Sequence, residues 1–466
     1  VQLFAVKPSL KLELCGVIIM KVSNSVSDVN LSIGRFVIPS LAGVFLFLIP
    51  ISLHGQVTLL INYLVFSLRD AYEFYIMLAL IITSGLSALG GIAALIKPDL
   101  FKGYLKTLFQ CSPVMVLVRI TACILIIMIH LKSGPEAIWS ADTGGAVMYG
   151  FVTTIALLFL LAGPLLPLLT EFGFMEFVGE LIGPVFRPVL KLPGRAGVHF
   201  ALALVASSTI SAVLSAEQYE KGYYNAREAI IMGTGFSVIS VPQVALFTEI
   251  MGLSNMFLQV YIIFILSILL INFIMVRIPP ISTKPDAFVV DRQESVTWSD
   301  NEVGYFKKAL NCAVTKANSE IGMGPFVEGI KMIGDIWFTL IPQVIVLGVA
   351  GILLVDYTPL TQWLSYPFII LLSFLQVPET AAAAPAMIIG FVDPFLTVIV
   401  GGRIGPEVTR FVILIISMVQ VVFITTIAPI LLKSKVPISF LDLVVIFLER
   451  TLIALPLAAL LAHIIF

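Results

Sequence analysis

Nine runs of about 20 predominantly apolar residues punctuate this chain, at 35–53, 72–96, 113–131, 146–170, 228–250, 255–277, 334–355, 405–432 and 438–463. A run of that length as a helix matches the hydrocarbon thickness of a bilayer, roughly 30 Å. Lipid offers no hydrogen bonds, so a spanning backbone must satisfy itself, as a helix or a closed barrel. Long runs without alternation select the helix. Composition agrees: 59% of the 466 residues are hydrophobic and 12% charged, against roughly 45–50% and about 25% in soluble domains. The reading is an all-α polytopic membrane protein with nine to ten transmembrane helices. The tenth would come from "QVTLLINYLVFSL" (56–68), a run short enough to lie in the interface instead.

Several classes are excluded early. A formal net charge of -1 gives no basic field for nucleic acid. The four cysteines (Cys15, Cys111, Cys123, Cys312) and the histidines His54, His130, His199 and His463 are scattered. Neither a disulfide framework nor a metal site follows from that spacing. There is no Gly-x-Ser-x-Gly, no phosphate-binding loop and no His-Glu-x-x-His. An enzyme is not expected, and neither is a cofactor. The only added component considered is a coupling ion, sodium or proton.

The first methionine is Met20, and residues 1–19 are read as lying upstream of the native start, within an N-terminal tail of 1–34. N-terminal transmembrane helices occupy 35–139. Lys97, Lys102, Lys106, Arg187, Lys191, Arg195, Lys433 and Lys435 all fall on one side if the spans alternate from a cytoplasmic N-terminus. The one long polar stretch, 279–333, is a cytoplasmic linker. Within it Val303, Phe306, Leu310, Ala313, Val314 and Ala317 recur at helical spacing, predicting an amphipathic helix on the membrane surface.

An internal repeat organises the rest. "VLKLPGRAGVHFALALV" (189–205) aligns with "FLQVPETAAAAPAMIIG" (374–390). Each copy has a span, then an amphipathic segment (173–192 or 357–376), then a short apolar run, a polar glycine-bearing turn and a long span. The repeats are set at 140–278 and 334–466. Charge orientation gives them opposite topology, the inverted arrangement of secondary transporters. The short runs have no room for a full span. They are read as two re-entrant hairpins, at about 196–226 and 380–404.

Candidate binding residues follow from polar side chains placed where lipid would be costly. The first hairpin carries Ser207, Ser208, Thr209 and Ser211. The second carries Glu379, Thr380, Asp393 and Thr397. "GTGFSVISVPQ" (233–243) and "TTIAP" (425–429) predict broken helices, the first presenting Thr234, Ser237, Ser240 and Gln243 to a solute or ion. Asp393 is expected to face a cavity bounded by Ser207–Ser211 and Ser237, or else simply to cap the helix starting at Pro394. Arg227 with Glu228, and Arg410 with Glu407, are read as structural ion pairs.

"FVIPSLAGVFLFLIPI" near the start, the two hairpins led by "LP" and "VP", and "GGRIGPEVTRF" resemble the YjiH family of bacterial inner-membrane proteins. These carry the Gate, or nucleoside-recognition, domain. The resemblance runs from about residue 30 nearly to the end. It implies distant similarity to concentrative nucleoside transporters, which have inverted repeats with re-entrant hairpins and unwound helices. The expected function is secondary transport or export of a small polar solute, nucleoside-like or amino-acid-like, across the bacterial inner membrane. The alternative is a non-transporting subunit or scaffold. The expected partners are the lipid bilayer, the solute, and a second copy or a second Gate-domain protein.

Overall fold

The structure, a computed structural model, describes residues 33–53, 56–193, 195–205, 208–290, 304–319 and 323–466. In chain order its principal elements begin with α1 (Ile33–Phe47), a short antiparallel hairpin β1 (Pro50–Leu53) and β2 (Gln56–Leu59), and α2 (Leu60–Ile96). Then follow α3 (Tyr104–Phe109), α4 (Pro113–Leu131), α5 (Glu136–Leu165), α6 (Phe174–Leu190), α7 (Arg195–Val205) and α8 (Ser208–Glu220). Next are α9 (Ala226–Gly235), α10 (Val241–Ile250), α11 (Ser254–Met275) and α12 (Tyr305–Ser319). The chain ends with α13 (Gly324–Leu354), α14 (Leu360–Phe374), α15 (Thr380–Ile389), α16 (Pro394–Gly402), α17 (Glu407–Val419), α18 (Ile427–Lys433) and α19 (Phe440–Ile465).

Among the described residues the protein is thus helical apart from one small β-hairpin. Among the described residues, six helices are long and apolar enough to cross a membrane: α2, α4, α5, α11, α13 and α19. They coincide with six of the nine runs expected from the sequence. The other three differ for local reasons. The run at 35–53 forms only the 15-residue α1 before turning into β1. The runs at 228–250 and 405–432 are each broken into two shorter helices. Residues 60–68 of the ambiguous 56–68 segment extend α2, which kinks at Tyr72, where the expected span begins.

Two compact units emerge. The first is built from Leu60–Leu165 and Met323–Tyr366. Inside it Arg119 of α4 is fully buried, and its Nη2 donates to the Leu108 carbonyl at 2.8 Å and to Thr339 Oγ1 at 3.0 Å. The second unit includes Leu166–Gly322 and Pro367–Phe466. It holds both helical hairpins and both broken helices.

The first hairpin is anchored by α6, whose apolar face packs on α7. The approach is too close for any side chain at the contact. A Cβ on Gly179 would lie 2.2 Å from Val198 Cα, and one on Gly197 would lie 2.4 Å from the Gly179 carbonyl oxygen. Linker helix α12 in turn lies along α6. Lys316 pairs with Glu171 at 2.9 Å, Lys308 with Glu180 at 3.0 Å, and the Phe306 ring meets Phe177 edge-on. Its buried stripe is Ala309, Cys312, Ala313 and Ala317, while Phe306 is 63% exposed. The inward face is the expected one at Leu310, Ala313, Val314 and Ala317 and departs from it at Phe306, because small residues let α12 sit close to its neighbours. Val303 lies outside the described residues.

The order of elements repeats: a span, a surface-type helix, a helical hairpin, a broken helix and a second span. The first copy is α5, α6, α7–α8, α9/α10 and α11. The second is α13, α14, α15–α16, α17/α18 and α19.

Candidate functional site

In the first copy the hairpin arms are joined by His199. Its Nε2 lies 2.8 Å from the Ser211 carbonyl and its Nδ1 lies 3.3 Å from the Tyr224 hydroxyl. A carbonyl only accepts, so Nε2 carries the proton and Nδ1 accepts from Tyr224. Further along α8, Ser215 Oγ donates to the Ala229 carbonyl at 2.6 Å, fastening the hairpin to α9.

Helix α9 starts with a capping box. Asn225 accepts from the Glu228 amide, and the Glu228 carboxylate accepts from the Asn225 amide. The helix ends at Gly235, residues 236–240 are non-helical, and α10 begins at Val241 with Pro242 in its first turn. Proline suits a first turn, where its missing N–H costs nothing. The break thus falls within the Gly233–Pro242 stretch from which it is expected. Within it Ser237 Oγ lies 3.1 Å from the Met232 carbonyl and 3.2 Å from Ser211 Oγ. The first hairpin therefore touches the first break through two hydroxyls.

In the second copy, α15 and α16 meet at a tip around Asp393. Asp393 Oδ1 accepts from the Phe395 amide at 2.9 Å, an N-cap, and its Oδ2 accepts from Thr425 Oγ1 at 2.7 Å. Thr425 lies in the break between α17 and α18. Backbone bonds run alongside, from the Ile424 amide to the Phe391 carbonyl at 2.9 Å and from the Thr425 amide to the Val392 carbonyl at 3.3 Å. The break opens on Val421, whose φ of 60° is left-handed. That region is a true outlier for a β-branched residue. Gln420 is buried beside it, and its Nε2 donates to the Met387 carbonyl at 2.9 Å and to Thr451 Oγ1 at 3.0 Å.

These positions correct several expectations. Asp393 takes the cap role and finds its second partner in the break of its own copy, at Thr425, rather than at Ser211 or Ser237. Arg227 Nη2 donates to the Val276 carbonyl at 2.6 Å, and the Glu228 carboxylate closes the capping box. Arg410 does form the expected ion pair with Glu407, at 3.6 Å. Thr234 bonds back to the Ile230 carbonyl of its own helix. Thr397 is buried, with Oγ1 3.4 Å from the Ala386 carbonyl. Ser240 is the N-cap residue of α10, and Gln243 follows in the first turn, half-buried. Ser208 and Thr209 are half-buried at the start of α8, and Thr380 is half-buried at the start of α15. Glu379 is exposed at the edge of the second hairpin with φ 52°. Ser207 lies outside the described residues.

Three polar residues inside apolar spans escaped the sequence reading: Asn272, Gln420 and Arg450. Arg450 of α19 is fully buried. Its Nε and Nη2 donate to the Val419 carbonyl at 2.9 and 2.6 Å, and its Nη1 donates to Asn272 Oδ1 at 2.9 Å. Asn272 Nδ2 then donates to the Gly235 carbonyl at 2.9 Å. A Cβ at 235 would lie 2.1 Å from Asn272 Oδ1, so a side chain there would displace Asn272 from this bond. The signal available was a charge inside a hydrophobic run. Among the described residues, no three His, Cys, Asp or Glu side chains gather to hold a metal.

The chain is similar to several known proteins. The Gate family, described as nucleoside recognition, matches residues 152–254, which include the first hairpin and its broken helix. An uncharacterized protein of Alkalihalophilus pseudofirmus is 37% identical over 440 residues, covering 93% of this chain and 94% of its own. CNTnw in an inward-facing substrate-bound state aligns over 92% of both chains at 14% identity, with a TM-score of 0.41. An outward-facing CNTnw variant aligns over 94% of this chain and 99% of its own at 11% identity, with a TM-score of 0.38.

By class this is a multi-pass membrane protein with a match to the Gate family over residues 152–254. The chain belongs to the same family as the Alkalihalophilus pseudofirmus protein.

Proposed function

We propose that the protein is a secondary transporter or exporter of a small polar solute across the bacterial inner membrane. The observation that carries this reading is that each helical hairpin is hydrogen-bonded to a helix break, Ser211 with Ser237 and Asp393 with Thr425. Irregular backbone is tolerated at membrane depth only where protein or a wet cavity surrounds it. In transporters built from repeats such breaks hold solute and ion. Hydroxyls, a carboxylate and amides gathered there suit a nucleoside-like or amino-acid-like solute, and the Gate match supports the nucleoside side of that choice. The two copies are read as inverted repeats. The driving force is the solute's own gradient or a coupled sodium or proton gradient, and a homo-oligomer or a second Gate-domain protein is the proposed partner.

The test is a thermal-shift screen of the purified protein against nucleosides, amino acids and dipeptides, followed by uptake of the best ligand into proteoliposomes. Saturable stabilisation by one solute class, matched by uptake, is the expected result. Absence of any shift across all three classes would favour a scaffold acting with a second Gate-domain protein.

A further inference from the structure

Each break creates a helix end inside the chain's apolar spans. The last carbonyls of a helix have no intrahelical donor, and the end carries partial negative charge. In water this is trivial, but inside a membrane it must be met by protein or by a bound cation. Helix ends of this kind coordinate the coupling cation in transporters with broken helices.

Here the ends of both broken helices are met by one side chain and its relay. Val419 is the last helical residue of α17, and its carbonyl receives two donors from Arg450. Gly235 is the last helical residue of α9, and its carbonyl receives the Asn272 amide, whose oxygen is held by the same guanidinium. Arg450 and Asn272 are 0% and 1% exposed. A buried guanidinium is costly unless its charge and donors are answered. Two helix ends with outward carbonyls supply that answer, and the planar fork suits it where an ammonium would not.

We infer that Arg450 is a tethered counter-cation, a fixed positive charge that serves the C-terminal ends of α9 and α17 in place of an inorganic coupling ion. These carbonyls are then closed to sodium, and the two breaks are coupled through one residue. The inference deepens the transport reading by narrowing the driving force, but its test needs no solute and stands whether or not that reading survives.

The test uses the purified full chain in detergent. Melting temperature is followed while sodium replaces potassium at constant ionic strength, and then in Arg450→Ala and Arg450→Leu with added guanidinium. Wild type is expected to show no saturable response to sodium. Arg450→Ala is expected to melt about 5 °C or more lower. Guanidinium at about 10 mM, far below denaturing levels, is expected to restore at least half of that loss by binding the vacated place. Arg450→Leu fills the space with apolar atoms and is expected not to recover. Saturable stabilisation of wild type by sodium overturns the inference, as does equal recovery of the alanine and leucine variants. If Arg450→Ala does not fold, the sodium titration of wild type decides alone.

Discussion

Asp393 and Thr425 lie 32 residues apart in sequence and meet through a 2.7 Å hydrogen bond from the threonine hydroxyl to the carboxylate. The contact ties the tip of the second hairpin to the middle of a broken helix. It also separates two roles of one side chain, because the other carboxylate oxygen caps α16.

Asp393→Asn keeps the cap, since asparagine caps nearly as well as aspartate, but removes the charge. Asp393→Ala removes both. Alanine is expected to cost about 1 kcal/mol more stability than asparagine. If the carboxylate serves the solute or its ion, Asp393→Asn lowers uptake at least about tenfold, a change of ~1.4 kcal/mol. Melting curves and initial uptake rates of the two variants check this, and unchanged uptake in the asparagine variant reduces Asp393 to a cap.

Gly235→Ala puts a methyl group where the Asn272 carbonyl oxygen sits, 2.1 Å from the ideal Cβ position. Asn272 must then swing away, leaving the Gly235 carbonyl and one face of Arg450 unpaired. The expected cost is about 1–3 kcal/mol from overpacking and lost hydrogen bonds. Chemical denaturation measures it. Asn272→Ala combined with Gly235→Ala is expected to cost less than the sum of the two single changes, because both break the same relay.

Gly197→Ala strikes the seat of the first hairpin rather than its tip. Its methyl would lie 2.4 Å from the Gly179 backbone oxygen, which has no rotamer to escape into. A loss of about 2 kcal/mol or more is expected. Because α7 must move off α6, protease protection of the hairpin should fall along with the melting temperature.

Lys316 and Glu171 pair with their side chains 21% and 23% exposed. Lys316→Glu alone leaves two carboxylates facing each other and should loosen α12 from α6. Adding Glu171→Lys should restore most of the loss, with a coupling of about 0.5–1 kcal/mol. The repulsion in the single variant should fade as salt rises, since the pair is only partly shielded from solvent. A double-mutant cycle at low and high salt reads both effects.

The spans were legible in the chain because lipid thickness fixes their length, and the first break was legible because Gly233, Gly235 and Pro242 crowd into ten residues. The partners of the polar groups were not. Arg450 answers a carbonyl 31 residues away and an amide 178 residues away, a choice made by packing that leaves no local pattern. Asn272 sits among leucines and isoleucines and reads as one blemish in a good span. Arg227 and Glu228 are adjacent and opposite in charge, yet that adjacency says nothing of the Val276 carbonyl that Arg227 reaches. On α12 the apolar face was legible at Leu310, Ala313, Val314 and Ala317, and only Phe306 departs from it, because close approach favoured the small Ala309.

Alongside the Asp393 contact, the second hairpin is stitched to its broken helix by Ile424 and Thr425 amides donating to the Phe391 and Val392 carbonyls. A seam made of main chain is blind to side chains. Its two main-chain bonds do not depend on which side chains stand at 391, 392, 424 and 425, as long as the backbone keeps its course. Proline at 424 or 425 is the exception, because it deletes a donor outright. The main-chain part of this seam thus asks only for an N–H at 424 and 425, which bars proline there, while the Thr425 hydroxyl is held separately by its bond to Asp393.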